Sequence, residues 1–100
     1  MYKLFFSHTA ETDLDAIYQY IAQDSAVRAR AYIQKIEECI LPLQDFPNIG
    51  VLAKYPELAS LGIRILPFEN YLIFYTVHTA QQTVTVLRIL NGSVHYKELF

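Results

Sequence analysis

The chain has 100 residues, of which 53% are hydrophobic and 18% charged, and a formal net charge of −2. This length favours one domain, residues 1–100, with a single modest core. The apolar content excludes a disordered chain. The slightly acidic balance argues against a broadly basic surface of the kind that grips nucleic-acid phosphates. Any nucleic-acid site is therefore expected to be a local basic cluster.

Cysteine usage and hydropathy indicate where the protein resides. The single cysteine, Cys39, can form no internal disulfide, which is typical of a reducing compartment. The N-terminal apolar run is too short for a signal peptide. Residues 70–87 lack Asp, Glu, Lys and Arg, but His78 and the polar break at Thr79–Gln82 argue against a membrane span. We expect a soluble, cytoplasmic protein with no membrane partner.

The first half of the chain shows two helical patterns. The first helix is predicted to begin after an N-cap at Thr9 and to end near Gln23–Asp24. The second is predicted to be capped by Asp24 or Ser25 and to end or kink around Ile40, because a proline two residues later removes a backbone donor. The apolar faces consist of Ala10, Leu14, Ile17, Tyr18 and Ile21, and of Ala29, Ile33, Ile36, Ile40 and Leu43. Two such helices, joined closely, predict an antiparallel hairpin.

The second half is dominated by three runs rich in β-branched and aromatic residues. They span Ile63–Leu66, Tyr71–Val77 and Val84–Leu90, separated by a turn at Pro67–Asn70 and a hairpin loop at Thr79–Gln82. The middle run is apolar on both faces, as is typical of a strand at the centre of a sheet. These runs predict a meander of three strands.

The remaining segments complete an α+β domain. Lys3–Ser7 is predicted as a first strand, and Phe46–Leu61 as an irregular connection with a helical turn near Glu57–Leu61. Leu99 and Phe100 are expected to pack back onto the sheet. The predicted fold is an N-terminal strand and a helical hairpin packed on a mainly antiparallel sheet of about four strands, with the other sheet face left partly open. The residues predicted to be buried between helices and sheet are Ile17, Ile21, Ile33, Ile36, Ile40, Phe74 and Leu87.

Arg64 and Arg88 stand inside predicted strands. Burying an arginine without a partner is costly, so each must reach water, an anion or a carboxylate. In the simplest meander both project from the open face of the sheet and can bind an anionic target. The alternative is that each is an exposed or carboxylate-paired strand residue.

His95 and Tyr96 follow the last strand. His and Tyr are usual side chains for proton transfer near neutral pH, although an exposed His beside a packing Tyr is the more ordinary arrangement. The three histidines have no ligand-like spacing with one another or with Cys39, and the chain has no nucleotide-binding loop. We therefore expect no metal and no small-molecule cofactor.

Several spaced motifs follow one another along nearly the whole chain. They are Ala10-x3-Leu14-x2-Ile17-x2-Tyr20-Ile21, Ala31-x4-Ile36, Pro47-x2-Gly50, Gly62-Ile63-Arg64-x-Leu66, Tyr71-x2-Phe74-Tyr75 and Val86-Leu87-Arg88-Ile89-Leu90-Asn91-Gly92. In this order they resemble the RelE/ParE superfamily of bacterial toxins of type II toxin–antitoxin systems, often called plasmid stabilisation proteins. The resemblance implies a helical hairpin on an antiparallel sheet and a cognate antitoxin as partner.

The resemblance also implies two alternative targets. RelE-like toxins are metal-independent endoribonucleases that cut mRNA in the ribosome. Arg64 matches the arginine that they use near the scissile phosphate, and His95 and Tyr96 are then the candidate proton-transfer residues. The connection ahead of this strand, however, contains Lys54 as its only lysine, whereas RelE-like nucleases carry several.

ParE-like toxins instead inhibit DNA gyrase and need no catalytic residues. For this function the candidate target-binding residues are Arg88, Asn91 and Lys97. The missing lysines and the acidic net charge favour a ParE-like gyrase inhibitor over a RelE-like mRNA interferase. An inactive relative that only binds its antitoxin is the third possibility.

Overall fold

A helical hairpin and a five-stranded sheet make up the fold of the computed structural model, which describes residues 1–100. The elements are β1 (Lys3–Phe6), α1 (His8–Ala22), α2 (Ala26–Ile40), a 3₁₀ segment (Leu41–Gln44), β2 (Val51–Leu52), α3 (Pro56–Ala59), β3 (Arg64–Phe68), β4 (Tyr71–His78), β5 (Thr83–Asn91) and a 3₁₀ turn (Tyr96–Leu99). The predicted α+β class and the order of its main elements are confirmed. The sheet has one strand more than predicted, because the connection after the hairpin contributes β2.

Serine side chains cap both long helices. The hydroxyl of Ser7 accepts a hydrogen bond from the backbone N–H of Ala10 at 3.0 Å and donates one to the carbonyl of Leu87 at 2.8 Å. Helix α1 therefore begins earlier than an N-cap at Thr9 predicts, because Ser7 joins the helix start to β5. The hydroxyl of Ser25 accepts from Arg28 N–H at 3.2 Å and caps α2, one of the two predicted alternatives.

The strand order β1-β5-β4-β3-β2 places β4 at the centre of the sheet, as its two apolar faces predict. The pairs β2–β3, β3–β4 and β4–β5 are antiparallel, whereas β1 pairs parallel with β5. The first strand of the chain thus lies beside the last one. Strands β1 and β2 form the two edges of the sheet.

A bulge interrupts the pairing of β4 with β5. Phe74 lies opposite Arg88 and Tyr75 opposite Val86, so Leu87 has no partner across the ladder. The extra residue breaks the alternation of side chains along β5. Val86 consequently packs on the helix side of the sheet, whereas Leu90 packs on the opposite side. A regular strand would have placed both on one face.

The hydrophobic core has two parts, one on each face of the sheet. On the helix side, Ile17, Ile36 and Ile40 pack against the sheet as predicted, with Ile21 and Ile33 partly buried beside them.

The opposite face is covered by α3 and by the C-terminal tail. Phe74 is fully buried there, and Leu87 is partly buried in the same cluster with Leu58 and Tyr96. The prediction that Phe74 and Leu87 lie between helices and sheet is therefore wrong. The sheet face expected to be open is instead closed around Phe74, because these two short segments bring their own apolar side chains to it.

Candidate functional site

Arg64 belongs to a network that fixes the loop before β2. Its guanidinium donates to the backbone carbonyl of Gly50 at 2.6 Å and, at a longer 3.4 Å, to that of Asn48. The hydroxyl of Tyr75 accepts from the N–H of Gly50 and donates to the carbonyl of Pro47, both at 2.8 Å. Tyr75 is fully buried, and this burial raises the pKa of its hydroxyl. The Pro47-x2-Gly50 motif is thus the part of the chain that the two side chains hold in place.

The position of Arg64 in the sheet follows from its pairing. Arg64 lies directly opposite Tyr75, and residues opposite one another on antiparallel strands share a face. Because Tyr75 belongs to the core on the helix side, Arg64 also projects to that side, at the margin of the sheet near β2. The expectation that Arg64 projects from the face opposite the helices is therefore wrong.

Arg88 pairs with a carboxylate of helix α1. Its Nε and Nη2 atoms donate to Asp13 Oδ2 and Oδ1 at 2.9 and 3.0 Å, and Asp13 Oδ2 also accepts from the backbone N–H of Ile89 at 2.9 Å. The hydrogen bond to Asp13 raises the pKa of Arg88. Arg88 therefore does not project from an open sheet face: the β5 bulge disrupts the regular ladder here, and Asp13 binds both the guanidinium and the neighbouring N–H.

Removal of the Asp13 carboxylate is expected to destabilise the protein. Asp13→Ala leaves a mostly buried guanidinium and the Ile89 N–H without their acceptor, so we expect a loss of about 2–3 kcal/mol in the free energy of unfolding. Urea unfolding measures this loss. Asp15→Ala, at an exposed position of the same helix, is the matched control and should change stability by about 0.5 kcal/mol or less. Equal urea concentrations at the midpoint of unfolding for Asp13→Ala and Asp15→Ala would contradict the structural role of Asp13.

The segment after β5 packs on the face of the sheet that lies away from the helical hairpin. Asn91 Oδ1 accepts from the N–H and the hydroxyl of Ser93 at 3.0 and 2.8 Å and so shapes the turn after the strand. The ring of Tyr96 packs against Phe74 and Tyr55, with centroid distances of 4.9 and 5.5 Å. The segment is therefore anchored by Tyr96, while His95 remains exposed.

Two lysines flank the ring of Tyr55. The ammonium groups of Lys54 and Lys97 each lie 5.3 Å from its centroid, and Lys97 also lies 3.5 Å from a carboxylate oxygen of Glu57. The N–H of Glu57 itself and the charge of Lys97 lower the pKa of this carboxylate. Both partners are at least half exposed, so the ion pair is weak.

A cleft of about 220 Å³ lies beside this ring. It is lined by Lys54, Tyr55, Gly92, Ser93, Val94, His95 and Tyr96. The structure thus brings His95 and Tyr96 together with Lys54, but not with Arg64, which lies on the other side of the sheet. Sequence reasoning did not assign a binding role to Lys54. Its signal was weak, since it consisted of one lysine in an irregular connection.

A second, larger groove lies between the edge strand β1 and helix α2. It encloses about 430 Å³ and is lined by Leu4, Phe6, Gln34, Glu37, Glu38 and Leu41. Its floor is apolar and its rim carries two carboxylates. No three His, Cys, Asp or Glu side chains lie close enough together to hold a metal ion. None of the helices is both long and apolar enough to cross a membrane.

Comparison with known proteins identifies the class. The model of a family described as "ParE toxin of type II toxin-antitoxin system, parDE" matches residues 4–96. Among solved structures, the chain is similar to one from the chromosomal ParDE system of P. aeruginosa, with 29% identity, a TM-score of 0.75, and coverage of 91% of this chain and 96% of that one. No curated protein matches the sequence.

Two more distant structures share the fold. The RelBE2 toxin–antitoxin complex of Mycobacterium tuberculosis matches with 20% identity and a TM-score of 0.66, covering 90% of this chain and 96% of that one. The intact E. coli RelBE complex matches with 17% identity and a TM-score of 0.63, covering 91% of this chain and 96% of that one. The fold is that of the RelE/ParE superfamily of toxins. Within this superfamily, the chain belongs to the ParE toxin family of type II toxin–antitoxin systems.

Proposed function

We propose that this ParE-type toxin inhibits DNA gyrase and is neutralised by a cognate antitoxin. The observation that carries the proposal is the engagement of both strand arginines. Arg64 holds the carbonyls of the loop at residues 48–50, and Arg88 is paired with Asp13. A nuclease needs a free cation beside the scissile phosphate. Neither arginine supplies one without giving up a contact that stabilises the fold, so a toxin that acts by binding fits this chain better.

The segment after β5 is the proposed target-binding surface. Asn91 and Lys97 are exposed at its two ends, and Arg88 contributes by fixing β5 to helix α1 rather than by touching the target. Anchoring by Tyr96 on Phe74 keeps the segment in one arrangement before binding. A preordered surface loses less conformational entropy on binding, which favours a tight complex.

The groove between β1 and α2 is a candidate docking surface for the antitoxin. Its floor of Leu4, Phe6 and Leu41 is apolar, and β1 is an edge strand whose outer hydrogen-bonding groups are unpaired within the chain. Such a site suits an antitoxin segment that adds a strand or a helix and buries apolar side chains there. Glu37 and Glu38 at the rim favour basic residues in that segment.

The cleft beside Tyr55 supports a second candidate function. Lys54, His95 and Tyr96 together offer a cation and two groups able to move protons. This set favours a ribosome-dependent mRNA endoribonuclease as the alternative, with Lys54 in place of Arg64 as the phosphate-binding cation.

Induced expression of the toxin without its antitoxin separates the candidate functions. Gyrase inhibition is expected to induce the DNA-damage response while mRNA stays intact, and the purified toxin is expected to block DNA supercoiling by gyrase. Rapid mRNA cleavage without DNA damage would establish the interferase instead. Growth without arrest, from a folded protein that still binds its cognate antitoxin, would indicate an inactive relative.

Arg64→Ala tests the structural role of this arginine. We expect the variant to keep most of the toxicity, while its free energy of unfolding falls by about 1–2 kcal/mol through loss of the hydrogen bond to the Gly50 carbonyl. Toxicity is measured by colony counts after induction, and stability by thermal unfolding.

Asn91→Ala and Lys97→Ala are the comparison variants, and they are expected to lose more toxicity than Arg64→Ala does. A folded but harmless Arg64→Ala protein, together with mRNA cleavage by the parent, would contradict gyrase inhibition as the main function and favour the mRNA endoribonuclease.

A further inference from the structure

The outward face of helix α2 carries a stripe of exposed residues. Helical spacing places this stripe opposite the residues that the helix buries, which are Ala29, Ile36 and Ile40. The stripe has a large apolar side chain at each end. Val27 is 70% exposed, and Leu41, which continues the helical backbone just beyond α2, is 51% exposed. The exposed residues that form this α2 stripe are Val27, Arg30, Ala31, Gln34, Glu38 and Leu41.

The α2 stripe is complementary to itself about Gln34. Val27 lies seven residues before Gln34, and Leu41 lies seven residues after it. Arg30 and Glu38 lie four residues before and after the same position. An antiparallel pair of α2 helices with a two-fold axis at Gln34 therefore places Val27 of each copy against Leu41 of the other. The same arrangement places each Arg30 against Glu38 of the other copy, so that apolar residues meet each other and each cation meets an anion.

The charges of α2 are not explained by contacts within one copy. The ion pairs of the chain involve other residues, so neither Arg30 nor Glu38 has a partner of opposite charge. The first turn of the helix contains Arg28 and no acidic residue, and the last turn contains Glu37 and Glu38 and no basic residue. The helix dipole favours the opposite order. An antiparallel contact gives these charges partners, because the arginine-bearing half of one helix lies beside the glutamate-bearing half of the other.

The centre of the α2 stripe permits close packing of two helices. Ala31 has a side chain of one carbon, which allows an interaxial distance at the short end of the ~8–10 Å that is typical of packed helices. The amide of Gln34 can both donate a hydrogen bond to its own copy across the axis and accept one from it. A polar residue at the centre of such a contact fixes the register of the two helices.

We propose that the free toxin forms a two-fold symmetric dimer through the α2 stripe, so that the occupant of this face is a second copy of the chain. One helix face per copy is smaller than the ~800 Å² per partner that stable interfaces bury, so we expect a Kd on the order of 10⁻⁵ M. Gln34, Glu38 and Leu41 also line the groove between β1 and α2, so a second copy covers part of that groove. Dimer and antitoxin therefore exclude one another, a consequence that, unlike the dimer itself, rests on the docking surface proposed above for the antitoxin.

Sedimentation equilibrium of the purified toxin tests the dimer, at concentrations from about tenfold below to about tenfold above the expected Kd. We expect the mass to rise from that of one chain towards that of two. Arg30→Glu and Glu38→Arg each place like charges against one another at both ion pairs of the dimer, so each is expected to weaken dimerisation about tenfold or more. The double variant Arg30→Glu/Glu38→Arg restores opposite charges at both pairs, and its Kd is expected to return to within about threefold of the parent value.

Two further variants make the test specific. Glu98→Arg is the same change as Glu38→Arg, but it lies in the exposed C-terminal tail, which packs on the other side of the sheet, so it is expected to change the Kd by less than about twofold. Val27→Ser removes an apolar contact that occurs twice in the dimer and is expected to weaken dimerisation about tenfold. All the substituted residues are exposed, so thermal unfolding should show a parental fold for each variant.

A toxin that stays monomeric over the whole concentration range overturns the proposal, and the α2 stripe is then a surface for a different partner. The proposal is also overturned if the double variant does not recover dimerisation, or if Glu98→Arg weakens it as much as Glu38→Arg does, because the copies then meet through another face. The measurement contains neither antitoxin nor gyrase, so its failure and a failure of the proposed function are distinguishable.

Discussion

Gly50→Ala is expected to lower the free energy of unfolding by about 3 kcal/mol or more. A Cβ atom at this position would lie 2.6 Å from the hydroxyl oxygen of Tyr75, 2.7 Å from its Cε1 and 2.8 Å from the carbonyl oxygen of Ile65. The tyrosine ring is buried and held at two points, and the carbonyl is part of β3, so neither can withdraw cheaply. The loop would have to move and lose the Tyr75 and Arg64 hydrogen bonds, which adds to the cost of overpacking.

Urea unfolding measures this effect, and Gly92→Ala is the matched control. A Cβ at Gly92 would meet its nearest atom at 3.4 Å, so this variant should change stability by about 1 kcal/mol or less. Tyr75→Phe removes the hydroxyl involved in the closest contact. The double variant Gly50→Ala/Tyr75→Phe should therefore lose less stability than the sum of the losses of Gly50→Ala and Tyr75→Phe measured separately. Additive losses, or a Gly50→Ala protein as stable as Gly92→Ala, would show that the loop tolerates a side chain.

Phe74→Ala is expected to cost about 3–5 kcal/mol. Phe74 is fully buried on the face away from the helical hairpin, and the rings of Tyr96 and Phe100 pack against it with centroids 4.9 and 5.1 Å away. The variant therefore creates a cavity and removes the surface on which the C-terminal tail rests. Urea unfolding should show the loss of stability, and limited proteolysis should show faster cleavage within residues 93–100.

Phe5→Ala is the control for Phe74→Ala. Phe5 is also a strand phenylalanine, but its side chain is about half exposed at the edge of the sheet, so its truncation should cost about 1 kcal/mol or less. Ile36→Ala, on the hairpin side, should match Phe74→Ala in stability loss but leave the tail resistant to protease. Equal proteolysis of the tail in both core variants would contradict its anchoring on Phe74.

Sequence reasoning recovered the parts of the fold that local pattern determines. Apolar spacing identified the two long helices, and the β-branched and aromatic runs identified the three long strands. Strand β2 was missed because Val51–Leu52 is too short to show periodicity and exists as a strand only through its pairing with β3. The bulge was missed as well, because no composition signal marks Leu87 as unpaired.

The candidate site was harder to predict, because its contacts join distant residues. From the sequence, each strand arginine could either face an open sheet surface or be exposed or paired with a carboxylate. In the structure Arg88 pairs with Asp13, which is the second alternative, and Arg64 binds the carbonyl of Gly50. The spacing of these residues along the chain does not indicate either contact. The cleft beside Tyr55 forms only when the segment after β5 returns to lie beside the connection before β3. The sequence thus identifies the charged residues, but only the three-dimensional contacts show which of them have no partner within the fold and can bind a ligand.

The parallel pairing of β1 with β5 affects the order in which this toxin can fold during synthesis. The first strand made must wait for the last one, and the hydrogen bond from Ser7 to the Leu87 carbonyl spans 80 residues. Contacts of such long sequence separation slow folding, because the chain must close a large loop before they form. On the ribosome, the helical hairpin can form early, but the sheet cannot close until β5 has left the exit tunnel. A nascent chain that stops before β5 therefore lacks both the complete sheet and the segment that follows it, and its first strand has no partner in the sheet.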